Sequence, residues 1–107
     1  EAMRQLIWRR DDFTAAFVIA DSMAVAAMKA LADEGWNVPE DCSVIAIDGI
    51  QLSAYTVPTL TTLVQPAEEM GRQAVHVLTE MVEKKAGNCH IELETSLRIG
   101  GSVLKFQ

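Results

Sequence analysis

TAAFVIADSMAVAAMKALADEG, residues 14–35, and SVIAIDG, residues 43–49, are the two runs that decide the fold. The segment TAAFVIA (14–20) is an apolar run that includes the β-formers Phe17, Val18 and Ile19. A strand apolar on both faces is the mark of a buried parallel strand. Asp21 follows it and reads as the N-cap of a helix starting at Ser22. Met23 to Asp33 is rich in Ala, Met and Leu, all strong helix formers. Gly35 closes that helix. After the turn Val38-Pro39-Glu40-Asp41, SVIAI (43–47) repeats the pattern of a buried strand and ends at Asp48-Gly49. Strand, helix and strand in this order predict a parallel pair with a crossover helix.

Towards the amino end, Ala2, Met3, Leu6 and Ile7 form a helical stripe over residues 1–10, which Asp11-Asp12 stops. Towards the carboxyl end come one helical turn near Leu52 to Tyr55 and a third short strand at Thr61 to Val64. A long helix then opens at Pro66, where a missing N–H costs little. Ala67, Met70, Gly71, Ala74, Leu78, Met81 and Val82 form its single apolar stripe. Glu68 and Glu69 in the first turn and Lys84 and Lys85 in the last suit the helix dipole, and Gly87-Asn88 ends the helix. Residues 90–99 read as one or two strands. Alternating strands and helices predict an α/β fold with a doubly wound parallel sheet.

The 107 residues are 50% hydrophobic and 22% charged, the balance of a small globular domain. The net charge of −6 and the two short basic clusters, Arg9-Arg10 and Lys84-Lys85, both beside acids, exclude nucleic-acid binding by this segment itself. Two cysteines, Cys42 and Cys89, do not make a disulfide scaffold; Cys42 reads as a small buried hydrophobe. With no basic-then-apolar leader and no long apolar run, a cytoplasmic protein without membrane contact is expected. A start at Glu1 further suggests a portion of something larger.

Open α/β sheets bind solutes beyond the carboxyl ends of their strands. Asp21 and Asp48 both stand there, one after each run. Asp21 reads either as a helix cap or as a solute contact. Asp48, before Gly49, reads either as a turn-forming residue or as a solute contact. A carboxylate offers several acceptor sites, which suits paired hydroxyls or a polar ring edge. Enzyme chemistry finds no footing. Ser22, Ser43, Ser53 and Ser102 lack a nucleophile elbow, and there is no glycine-rich phosphate loop. His76, His90, Cys42 and Cys89 show no paired metal-ligand spacing, and no cofactor is expected. Met23, Val25, Met28 and Leu31 cannot all face one sheet. Helix 22–34 therefore serves either core packing or self-association, with Tyr55 able to join it. Trp8 and Trp36 suit contact surface or simple packing equally.

At residues 30–75 these pieces assemble into a recognisable string: Val38-Pro39-Glu40-Asp41, Ser43-Val44-Ile45, Asp48-Gly49, Tyr55, Pro58, Leu60-Thr61-Thr62, Gln65-Pro66 and Met70-Gly71. With Ala20-Asp21-Ser22-Met23-Ala24 upstream, it resembles the effector-binding core of the lactose-repressor/galactose-repressor family, over residues 13 to 102. The resemblance implies a type I periplasmic-binding-protein-like fold of two lobes. Residues 1–65 would be carboxyl-side lobe, 66–88 a helix of the amino-side lobe, and 89–107 return strands of the carboxyl-side lobe. It implies a small-molecule effector, a sugar or a nucleobase, held between the lobes. It also implies a homodimer that meets operator DNA only through an amino-terminal helix-turn-helix outside this chain. By position it implies effector contact at Asp48, Asp21 and Ala20. Ala20 stands where sugar-responsive members often carry Asn, and Ala46-Ile47 replace the usual Gly and aromatic before the effector aspartate. A terminal-strand Arg common in the family falls near Gly100. Val25, Met28, Lys29 and Tyr55 correspond to the dimer interface. The alternative is a periplasmic sugar-binding protein of the same fold; the string from Thr61-Thr62 to Met70-Gly71 favours the repressor.

Overall fold

A computed structural model describes residues 1–9, 12–85, 87 and 89–105. In chain order it contains α1 (Ala2–Trp8), β1 (Ala15–Val18), α2 (Asp21–Asp33), β2 (Ser43–Asp48), a 3-10 turn (Gln51–Ala54), β3 (Thr61–Val64), α3 (Ala67–Val82) and β4 (Ser96–Arg98). The expected stop at Asp11, the second residue of the Arg9-Arg10 pair, and Asn88 at the end of α3 lie outside the described residues.

The four strands form one sheet in the order β1-β2-β3-β4. β1 pairs in parallel with β2, placing Phe17 beside Ile45 and Val18 beside Ala46. β2 pairs in parallel with β3, placing Asp48 beside Val64. Past β4 the chain bonds back along the β3 region: Gly100 N–H donates to Thr61 Oγ1 at 3.0 Å and Ser102 N–H to the Thr59 carbonyl at 3.1 Å. Residue numbers rise on one side as they fall on the other, so the return segment runs opposite to β3. Gly100 is required by this closeness, because a Cβ there would lie 2.2 Å from the Thr59 oxygen. The result is a mixed α/β sheet, open at its edges.

The core lies between this sheet and α2. Ala24, Leu31, Cys42, Val44, Ala46 and Leu60 are wholly buried. Small Ala24, Ala27 and Ala30 let α2 sit close to the strands, and Leu31 fills the space between. α2 ends as its Gly35 predicts. Gly35 has φ +80°, its N–H donates to the Ala32 carbonyl, and Trp36 N–H donates to the Leu31 carbonyl. That pair of bonds is a Schellman closure, and glycine takes its left-handed position without strain. Trp36 then stacks on Phe13 with ring centroids 5.2 Å apart. α1 is fastened to the far end of α2 by Arg4 to Asp33 at 3.1 Å and by Trp8 Nε1 to Glu34 at 3.2 Å.

The chain divides into two compact units, Glu1–Val64 with Leu97–Gln107, and Gln65–Ser96. Residues 89–96, expected among return strands, go with α3 instead. Residues 90–95 form no strand, and Cys89, Ile91 and Leu93 line a hollow against Met70, Leu78 and Met81 of α3. The apolar stripe of α3 forms as expected, but none of its residues is buried within the chain.

Several local expectations are corrected. β1 is apolar on both faces, yet Phe17 is 58% exposed, because the described helix contacts of the sheet come from α2 on one side. Met28, expected at a dimer interface, is only 7% exposed. It follows Ala24 by one helical turn and so packs into the core. Lys84 and Lys85 lie past the last turn of α3, which ends at Val82. Lys84 takes φ +56°, a left-handed residue that breaks the helix before Gly87 is reached.

Candidate functional site

Parallel β1 and β2 deliver the two candidate acids to one edge. β2 ends on Asp48, and the loop after β1 brings Asp21 beside it: Asp21 Oδ2 accepts the Gly49 and Ile50 backbone amides, each at 3.0 Å. Ala20, half-buried, occupies the same junction as the N-cap residue of α2, with extended backbone at φ −154°.

Asp21 does not cap α2. The helix begins at Asp21 itself, without a side-chain cap bond, and the carboxylate reaches across to the loop after β2. It is wholly buried. Besides the two amides, Oδ2 accepts Ser53 Oγ at 2.7 Å, and Oδ1 accepts Thr62 Oγ1. Three of the four donors converge on Oδ2 and one on Oδ1. Sequence placed Asp21 either as a helix cap or among the solute contacts; the structure gives its carboxylate four donors from within the chain. A buried charge is tolerable because both carboxylate oxygens accept hydrogen bonds.

Asp48 is held on unusual backbone. Its φ is +141°, followed by +76° at Gly49. Such a conformation costs a non-glycine residue on the order of 1–3 kcal/mol, and residues held this way cluster at ligand sites. The grip of Asp21 on the next two amides keeps it in place. Gly49 is doubly required, since a Cβ there would meet Val64 Cα at 2.7 Å. Asp48 itself is half-buried at the sheet edge.

Three residues of this network escaped the sequence reading. Thr62 was noted only as part of a motif, although a hydroxyl on the inward face of a short strand signals a buried acceptor nearby. Ser53 looked like an ordinary turn residue. Arg98 had no local signal; its Nη2 donates to the Ile50 carbonyl oxygen at 3.2 Å and to Ser53 Oγ. Near the family's usual Arg position, Gly100 lies against backbone with no room for a side chain.

The expected interface residues divide. Tyr55 is 71% exposed and Lys29 is exposed, paired with Asp33. Val25 is half-buried, while Met23, on the same helix as buried Met28, is 53% exposed. Among the described residues no group of three or more His, Cys, Asp or Glu could hold a metal ion. His76 and His90 each face one glutamate, Glu80 and Glu92. Burial pushes the Cys42 thiol above its usual pKa. No described helix is long and apolar enough to cross a membrane.

A family model described as periplasmic binding protein-like domain matches residues 1–103. The HTH-type transcriptional regulator MalR of Clostridium butyricum is 37% identical over 97 residues, covering 91% of this chain and 29% of MalR. The structure of the transcriptional regulator CelR–cellobiose complex aligns with TM-score 0.88 and 33% identity over 94% of this chain and 31% of that one. The Lac repressor dimer bound to operator and the anti-inducer ONPF aligns with TM-score 0.90 and 29% identity, over 97% of this chain and 36% of that one. The chain thus spans roughly a third of each relative's length. Its relatives are transcriptional regulators rather than enzymes. Similar to transcriptional regulators such as MalR and the Lac repressor, the chain belongs to the periplasmic-binding-protein-like domain family.

Proposed function

We propose that this chain is effector-sensing core of a transcription repressor, with Asp48 as a direct contact to a small polyhydroxylated solute. One observation carries the reading. Asp48 is kept on costly backbone at the carboxyl edge of a parallel sheet by a buried network. A carboxylate aimed from such an edge accepts two hydroxyls, or the N–H edge of a nucleobase. The cellobiose of the CelR complex supports a sugar first and a nucleobase second.

In this reading Glu1–Val64 with Leu97–Gln107 is carboxyl-side lobe and Gln65–Ser96 belongs to the amino-side lobe. Solute binding shifts the conformation of the intact protein. DNA is read by a separate helix-turn-helix, as the acidic charge of this chain requires, and the protein works in the cytoplasm where operator DNA lies. Tyr55, Lys29 and Val25 form the homodimer surface; Val25 and Lys29 stand one turn apart on the same face of α2, and Tyr55 supplies an exposed aromatic. The relationship to HTH-type regulators supports this reading over a periplasmic transport protein.

A thermal-shift screen of mono- and disaccharides and free nucleobases on the intact protein tests the proposal. A ligand present at about 100 times its Kd stabilises by about 2.7 kcal/mol, a clear rise in Tm. A flat response to all sugars and nucleobases would contradict it.

A further inference from the structure

Ser53 Oγ has one hydrogen and two acceptors in reach. Asp21 Oδ2 and the Ile50 carbonyl oxygen each lie 2.7 Å away. The choice between them decides whether the Asp21 carboxylate keeps its hydroxyl donor on Oδ2. Arg98 touches both sides of that choice. The Ser53 N–H already donates to the Ile50 carbonyl at 3.2 Å, and Nη2, donating to the same oxygen, fills the competing acceptor. By donating to Ser53 Oγ, it occupies a lone pair and turns the hydroxyl hydrogen away from the guanidinium, towards the carboxylate. A hydroxyl that accepts from a cation is a stronger donor to an anion, since bonds in a chain polarise one another.

We infer that Arg98 is a positioning residue for solute recognition, acting through Ser53 and Asp21 on the Gly49 and Ile50 amides and so on the strained backbone of Asp48. Its importance for recognition rests on the reading of Asp48 as a solute contact. Its place in the chain matters too. The first unit is left at Val64, the register partner of Asp48, and is resumed at Leu97, one residue before Arg98.

Amide exchange of the intact protein without added ligand, read by mass spectrometry on Arg98→Met, Arg98→Lys and Ser53→Ala, tests this. Peptides spanning 48–53 should exchange about tenfold faster in Arg98→Met, relative to peptides spanning 43–47, as expected for losing a charge-assisted hydrogen bond. Lysine can donate to both oxygens and should recover most of that protection, which a purely packing role would not allow. Ser53→Ala should loosen the same peptides and add nothing to Arg98→Met. Unchanged relative exchange in Arg98→Met, no recovery by lysine, or additive effects of the two substitutions would each overturn the inference. The readout uses no solute, so a failed ligand screen leaves it intact, and an insensitive loop leaves the Asp48 reading intact.

Discussion

The Asp21 carboxylate and the Gly49 amide, 28 residues apart in sequence, meet at 3.0 Å. One buried acid at the start of α2 thereby fixes the loop that leaves β2. The site is an arrangement of loops held by the sheet edge.

Removing that acid should cost more than removing any one of its donors. Asp21→Asn places an amide N–H₂ among four donors, so at least one is left unsatisfied in the core. A loss of about 2–4 kcal/mol is expected, against about 1 kcal/mol for Ser53→Ala. Urea unfolding of the intact protein checks the order; equal midpoints for the two variants would contradict it.

Two glycines should respond in opposite directions. Gly49→Ala forces a Cβ to 2.7 Å from Val64 backbone at φ +76° and should destabilise by more than about 2 kcal/mol. Gly71, inside α3, has nothing within 4 Å of a built Cβ, and Gly71→Ala should stabilise by about 0.5–1 kcal/mol. Thermal unfolding of both variants separates them by sign.

Much of this was legible in the sequence, and the reasons are local. β1 and β2 announce themselves as short apolar runs, and α2 by its alanines and closing Gly35. The edge position of Asp21 and Asp48 follows from parallel strands. What stayed hidden depends on partners distant in the chain. Asp21 looks like a cap because Asp before a helix is a common cap; only the loop at 49–53 reveals its real donors. Met28 looked available because periodicity alone cannot say how wide a helix face the sheet covers. Arg98, 45 residues from Ser53, has no signal in its own neighbourhood.

The cysteines offer a check on burial. Cys42 is wholly enclosed and its thiol is pushed above the usual range by desolvation, while Cys89 is exposed. Iodoacetamide at neutral pH should modify Cys89 and spare Cys42 until the protein unfolds, because the thiolate is the reactive form. Peptide mapping showing equal modification of both in the native protein would contradict the core described here.

The two α2 and loop positions first grouped as interface should now behave differently. Met28→Ala removes buried volume and should cost about 2–4 kcal/mol in stability. Tyr55→Asp changes a residue 71% exposed in the chain and should leave unfolding nearly unchanged while shifting the protein towards monomer, since it buries an unpaired charge in the proposed interface. Sedimentation velocity of Tyr55→Asp showing an undiminished dimer would count against that surface.

The most direct measurement is calorimetric titration of wild type and Asp48→Ala, in the intact protein, with a sugar or nucleobase that the thermal-shift screen identifies. Loss of a charge-assisted hydrogen bond predicts affinity weakened by at least about tenfold, or about 1.4 kcal/mol. Equal affinity for the two proteins would contradict the assignment of Asp48 as the solute contact.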